Sequence, residues 1–325
     1  MVPFRLLVIP ALFLCLAASG FSAPPELPVW TVDLAYGFSS GLPYYYSQEI
    51  MTLYDNSLFE GEKDIRYLDE YTASLRLDLG GFSVLASLPL RNVVVFAELY
   101  TLQGFEQARL SEMGPGGATL AAEQRIALPF GLETAVRAGA DIPNTNGTNG
   151  YWDGRNPCDA GLDEWILLRQ VWDFAGWNRL EGECKVTQPG KRPYDMDYDS
   201  QNNYRYGLRE RFALLETFRV PLPWDGSLSL FGGICRDNQL PILLVTNSSP
   251  VADTASSVFR LAAGADFTVF GCLTAGFSVW SAAYSYLTNT DPAWGFSVHS
   301  SFTFGGSGSN IVSRDMDAGL FGPDY

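Results

Sequence analysis

From Trp30 onward, apolar side chains recur at every second position. Trp30, Val32, Leu34, Tyr36 and Phe38 alternate with Thr31, Asp33, Ala35 and Gly37. The stretch from Trp294 to Phe304 repeats the pattern, with Phe296, Val298, Phe302 and Phe304 in one phase and Gly295, Ser297, His299, Ser301 and Thr303 in the other. Successive side chains of a strand point to opposite faces, so a period of two predicts strands with one apolar face. Twelve such segments are predicted: 30–38, 71–88, 93–101, 118–128, 132–141, 163–173, 177–186, 205–220, 227–237, 257–269, 272–284 and 294–304. The second changes phase at Gly80-Gly81, where a bulge would carry the switch. Two stretches fit less simply. Residues 163–174 also place Trp165, Leu168 and Trp172 at helical spacing, so ten strands around a plug helix is an alternative. Residues 241–245 are an apolar run inside a predicted loop, which either extends a strand or folds inward.

The connections narrow the fold class. Short ones fall at 88–90, 128–131, 174–177, 221–226 and 270–271, and longer polar ones at 39–69, 103–117, 142–162, 187–203 and 238–255. Alternation of tight and long connections predicts an all-β fold, an antiparallel transmembrane β-barrel with short periplasmic turns and long external loops. A soluble β-sandwich has no physical reason to segregate its connections in this way. Most segments have the ~9–11 residues that a tilted strand needs to cross a bilayer.

Composition agrees. Hydrophobic residues make up 47% of the 325 and charged residues 18%, yet the only apolar run approaching a spanning helix is at the start. Residues 1–20 read as a cleaved signal peptide: Arg5 is followed by an apolar core over 6–17 and a small-x-small site at Ala18-Ser19-Gly20. Residues 21–304 then form one barrel domain, and 305–325, rich in Gly, Ser and Asp, a flexible tail. The expected location is the cell outer membrane, with its lipid as the first partner. A net charge of −15 argues against nucleic acid. Four cysteines remain beyond the signal, none in a CxxC pair, and there is one histidine, so neither a metal centre nor a cofactor is read. Cys158 and Cys184 fall near the same loop end and are a candidate disulfide in an oxidising compartment. Asp195, Asp197 and Asp199 are a weak calcium candidate. Ser200 and Tyr206 stand where the helical calcium loop has its glycine and glutamate, and a solvated loop is the better reading.

The last strand carries a resemblance. Ser297, Phe302 and Phe304 resemble the terminal assembly signal of bacterial outer-membrane barrels, which implies the barrel-assembly machinery as a partner. His299 stands where that signal has glycine, and residues 305–325 follow where such chains usually stop. The arrangement of 117–304 also resembles the phenol meta-pathway group of outer-membrane transporters. A hairpin there ends in Gly139-Ala140-Asp141-Ile142-Pro143-Asn144, and later hairpins run to Trp294-Gly295-Phe296. The resemblance implies passage of small, hydrophobic organic solutes and supplies no catalytic residues.

The charged positions follow from the alternation. Lipid penalises a midplane Arg or Lys by ~2–4 kcal/mol, so long charged side chains should face the lumen. The lumen-lining candidates are Asp33, Arg76, Asp78, Glu123, Arg125, Glu133, Arg137, Arg169, Asp173, Arg209, Arg211, Arg219, Arg260, Asp266 and His299. They could select solutes or cross-brace a filled barrel. Trp30, Trp177, Trp224, Tyr284 and Trp294 lie near predicted strand ends, where an interfacial aromatic girdle is expected. Three readings of function remain: a channel or passive transporter for small solutes, a closed surface barrel whose loops bind a partner, and a lipid-modifying enzyme. The last rests on His299 with Ser297 and Ser301 on the same face, and no GxSxG motif accompanies them.

Overall fold

The computed structural model describes residues 28–42, 65–101, 104–143, 162–174, 176–190, 204–205, 207–240, 243–244, 256–285, 294–305 and 320–321. Its strands are β1 (Val29–Leu42), β2 (Ile65–Asp78), β3 (Phe82–Thr101), β4 (Gly104–Pro115), β5 (Ala118–Ala127), β6 (Leu132–Ile142), β7 (Asp163–Phe174) and β8 (Asn178–Gln188). They continue with β9 (Tyr204–Arg205), β10 (Arg209–Leu222), β11 (Gly226–Gln239), β12 (Leu243–Leu244), β13 (Ser256–Val269), β14 (Leu273–Ser285) and β15 (Trp294–Phe304). Twelve of them, β1, β2, β3, β5, β6, β7, β8, β10, β11, β13, β14 and β15, pair antiparallel in that order. The pairing of β15 with β1 closes the ring. Closure leaves no sheet edge unpaired among these strands.

Several segments differ from the sequence expectation. Gly80-Gly81 is not a bulge within one strand but a hairpin turn between β2 and β3, with Leu79 N donating to Phe82 O at 2.7 Å. Gly80 has φ +81°, a conformation glycine enters without steric cost. Residues 88–90, expected as a turn, lie inside β3. Pro89 stands there between the stretch paired with β5 (82–87) and the stretch paired with β4 (90–101). A proline lacks a ladder donor and is tolerated at such a break. Residues 103–117, expected as a loop, are mostly β4, which extends the β3 hairpin past the ring. Residues 163–174 are not a plug helix: β7 pairs with β6 and β8 along its length. The apolar run at 241–245 contributes Leu243 and Leu244, which pair with Arg205 and Tyr204.

The short connections, at 79–81, 128–131, 176–177, 223–225 and 270–272, all fall at one end of the ring, where the start of β1 at Val29 and the end of β15 at Phe304 also meet. Their tips carry bulky aromatics. Phe130 is 94% exposed, Trp224 81% and Phe270 73%, each with positive φ. Neighbouring tips are tied together, since Phe270 N donates to Trp224 O and Gly271 N to Asp225 O.

Along each strand the exposed residues are mostly apolar, with Gln170, Glu216 and Arg236 among the exceptions. On β10, Phe212, Leu214, Phe218 and Val220 face out while Arg211, Ala213 and Leu215 are buried; on β13, Leu261 and Phe267 face out while Arg260 and Ala262 are buried. The molecule is therefore apolar outside. Its core lies inside the ring, filled by side chains of mixed character.

Candidate functional site: the barrel lumen

Strand parity brings a cluster of charge to one side of the lumen. Glu123 on β5 faces Arg137 directly across the β5–β6 pair. Its Oε2 accepts from Arg137 Nη2 at 2.6 Å and Nε at 2.9 Å, and from Arg169 Nη2 at 3.2 Å. Its Oε1 accepts from Arg76 Nη2 at 2.7 Å, with Arg125 Nε at 3.5 Å. Arg125 in turn pairs with Asp78, and Arg76 also donates to Ser83 Oγ at 3.1 Å. Four guanidinium groups from β2, β5, β6 and β7 thus converge on one buried carboxylate. A charge taken out of water needs this degree of pairing to persist.

The opposite side is mainly apolar. Inward residues of β10, β11, β13 and β14, among them Leu215, Phe231, Ala262 and Trp280, form one buried cluster. Small residues make room for the large ones. A side chain at Gly295 would begin 2.5 Å from Trp280 Nε1. Two residues from far along the chain complete the cluster: Leu320 and Phe321, both fully buried, belong to the segment expected to be a flexible tail. Arg260 Nη1 donates to the Phe321 carbonyl at 2.7 Å. The same guanidinium lies 3.2 Å from Asp237 Oδ2 and 5.6 Å from the Trp280 ring centroid, and Arg211 Nε reaches Asp237 Oδ1 at 2.7 Å.

The other candidates are placed singly or in pairs. Arg209 pairs with Asp163. Asp266 and His299 lie 3.3 Å apart across β14, in register with Gly276 between them. Asp173 accepts from Gly176 N at 2.9 Å. Asp33 occupies an inward position of β1; Glu133 on β6 lies within electrostatic reach of Arg125, and Arg219 on β10 within that of Arg179, Asp173 and Glu181. Sequence reasoning passed over an equally charged row on β8. There Glu181 meets Arg179 at 2.8 Å, Glu183 is buried, and Lys185 Nζ stands 4.7 Å from the Trp165 ring centroid. It also passed over Glu70, which pairs with Arg91 at 2.5 Å, and Asp237. The same alternation rule would have found all of these. Inward tryptophans such as Trp165 and Trp280 run against that rule and carry no sequence signal.

Cys184 is a free thiol at an outward position of β8. Cys158, Asp195, Asp197 and Asp199 lie outside the described residues, as does the signal segment. Among the described residues no group of three or more His, Cys, Asp or Glu could hold a metal ion.

A closed ring of twelve antiparallel strands has a counterpart among solved structures. The COG4313 outer membrane channel from Pseudomonas putida F1 superposes with a TM-score of 0.56 at 11% identity, over 87% of this chain and 97% of that one. The fold is that of an outer-membrane β-barrel. The transport unit of the autotransporter AIDA-I from Escherichia coli (TM-score 0.44, 11% identity, 90% and 97% covered) and the NanC porin (0.43, 10%, 83% and 98%) are more distant. No protein-family profile matches the sequence, and no curated protein matches it.

Proposed function

We propose that this protein is an outer-membrane barrel that passes small solutes, in the manner of a channel or passive transporter. The observation that carries the reading is the inversion of polarity across a closed wall. Exposed Leu34, Leu230, Phe277 and Val298 face outward, whereas Arg76, Glu123, Arg169 and Arg260 face inward. In water the apolar face of a closed barrel turns in; a hydrocarbon surround reverses it, because every backbone group is paired within the ring and apolar side chains are the ones lipid accepts. The exposed aromatics on the short-turn tips, with Trp177, fit an interfacial girdle at that end. The periplasmic side is then the short-turn side, and the N-terminal segment supplies export.

The lumen of mixed character favours organic solutes with both apolar and polar parts, consistent with the resemblance to the phenol meta-pathway transporters. Fractionation and gel mobility test the membrane placement. The protein should pellet with outer membranes and run faster unheated than boiled. Recovery from the soluble fraction with no heat-dependent shift ends the reading. Purified protein should then give discrete conductance steps in planar bilayers.

A second reading, the closed surface barrel, draws on the fully buried Trp165, Arg169 and Arg260 inside the wall. A protein of this kind shifts on the gel but never conducts. The enzyme reading places its base badly, since His299 is held by Asp266 on the face turned away from lipid.

A further inference from the structure

The outward face of β11 changes character toward its long-connection end. Leu228, Leu230 and Ile234 are apolar, and Arg236 and Asn238 follow in the same phase. Arg236 is exposed, yet it is held. Its Nε donates to Asn238 Oδ1 at 3.0 Å and to Ser257 Oγ at 3.2 Å, and Ser257 Oγ donates to the same Asn238 oxygen at 2.9 Å. Asn238 and Ser257 stand opposite each other across the β11–β13 pair, so the ladder fixes both acceptors. Neutral groups thus occupy Nε, and among the described residues the terminal amines Nη1 and Nη2 meet no carboxylate. Glu210, the outward carboxylate at this end of β10, stands opposite Asn238, whereas Arg236 faces Phe212. The flanks are apolar. Phe212 and Phe259 stand in register on either side of Arg236, and exposed Leu214, Ile234 and Leu261 form the next row toward the short turns. Arg236 is ten positions (236 − 226) from the start of β11 at Gly226. At ~3.4 Å per residue and a tilt of ~40°, that is a rise of about 26 Å, against an apolar band about 25 Å tall on barrels of this kind. The guanidinium therefore stands where hydrocarbon gives way to headgroups, on the leaflet opposite the short turns.

We propose that Arg236 anchors a lipid site on the outer wall, taking the phosphate of an anionic lipid of the outer leaflet while its acyl chains lie along Phe212, Ile234 and Leu261. The inference rests on the membrane placement of the barrel and not on a conducting lumen. A guanidinium binds phosphate through parallel N–H bonds, and tying Nε to the scaffold sets the orientation of the Nη pair in advance. Phosphate alone could come from a dissolved ion. The apolar residues beside and below Arg236 favour an amphiphile, because only chains attached to the headgroup cover them as the charge is met.

The test uses the full-length protein in dodecyl maltoside, folded by the gel-shift criterion, as wild type, R236Q and R236K. Native mass spectrometry measures retention of dimyristoyl phosphatidic acid, with dimyristoyl phosphatidylcholine as the zwitterionic counterpart and inorganic phosphate as the headgroup alone. R236Q is expected to bind phosphatidic acid about tenfold more weakly than the wild type, with phosphatidylcholine unchanged. R236K keeps the charge but loses the fork and the ties of Nε, and should fall between the two. Equal phosphatidic acid affinity in wild type and R236Q overturns the proposal, as does a loss that phosphatidylcholine shares. Inorganic phosphate bound as tightly as the lipid makes this a free-anion site and overturns it too. So does a doubled mass that R236Q abolishes, which would give the face to a second copy of the chain. Fractionation keeps the two readings apart. Pelleting with outer membranes without the R236Q loss removes the lipid site and leaves the membrane barrel, whereas recovery in the soluble fraction removes both.

Discussion

The two sides of the lumen are filled by different means. On the β2–β5–β6–β7 side, Glu123 gathers Arg76, Arg125, Arg137 and Arg169, and every member of the cluster is carried by a strand of the ring. On the β10–β11–β13–β14 side, Phe231, Leu215 and Trp280 pack against one another and against Leu320 and Phe321, which no strand holds. Charge demands fixed geometry and many simultaneous partners, whereas apolar contact is non-directional and lets one occupant be exchanged for another of similar size. The first side suits a permanent brace and the second a place where something can come and go.

Three changes would break or sharpen that contrast. The largest effect is expected from E123A, which leaves four guanidinium groups facing one another without their shared carboxylate. Losing one partner of a buried ionic network costs about 3–5 kcal/mol, and urea unfolding in micelles, followed by tryptophan fluorescence, should show it. A loss under about 1 kcal/mol would mean that the cluster is hydrated and not a brace. F231A on the other side should cost about 3 kcal/mol by the same measurement, as truncation of a buried aromatic does. Its loss should shrink when the chain also ends at Gly305, because Phe321 then no longer packs against the site. The smallest effect is the coupling between the two sides. The double variant E123A/F231A should equal the sum of the singles within about 0.5 kcal/mol, since the clusters share no member. A larger coupling would show that the lumen is one packed unit.

How much of this could be read in advance varies by region. On β1 and β15 the alternation was unambiguous, because each such strand has one face toward the ring interior and one apolar face outside. Pairing across the short connection at 128–131 sets Glu123 opposite Arg137, as the strand register does. The region 71–117 was misread for a physical reason. A phase change at paired glycines is compatible with a bulge or with a turn, and only the positive φ of Gly80 decides between them. Pro89 looked like a turn residue, whereas it occupies the gap where β3 changes partner from β5 to β4. The polar strand β4 escaped notice because it runs past the ring beside β3 and carries no apolar alternation. The charges on β8 were legible by parity. The docking of Leu320 and Phe321 was not: a Gly-, Ser- and Asp-rich tail carries no periodicity, and the site that receives it is assembled from residues scattered between 213 and 282.

One pairing described above bears on how the molecule comes to exist at all. Thr31 and Thr303 touch at 3.2 Å between their hydroxyl oxygens, across the junction of β1 and β15. They are 272 positions apart, so nearly the whole polypeptide must be laid down before the circle can be shut. The entropy of so long a loop is offset only once the intervening hairpins already hold the two ends close. The final stitch is therefore the slow one, and until it is made the outermost strands present bare hydrogen-bonding edges to whatever lies beside them.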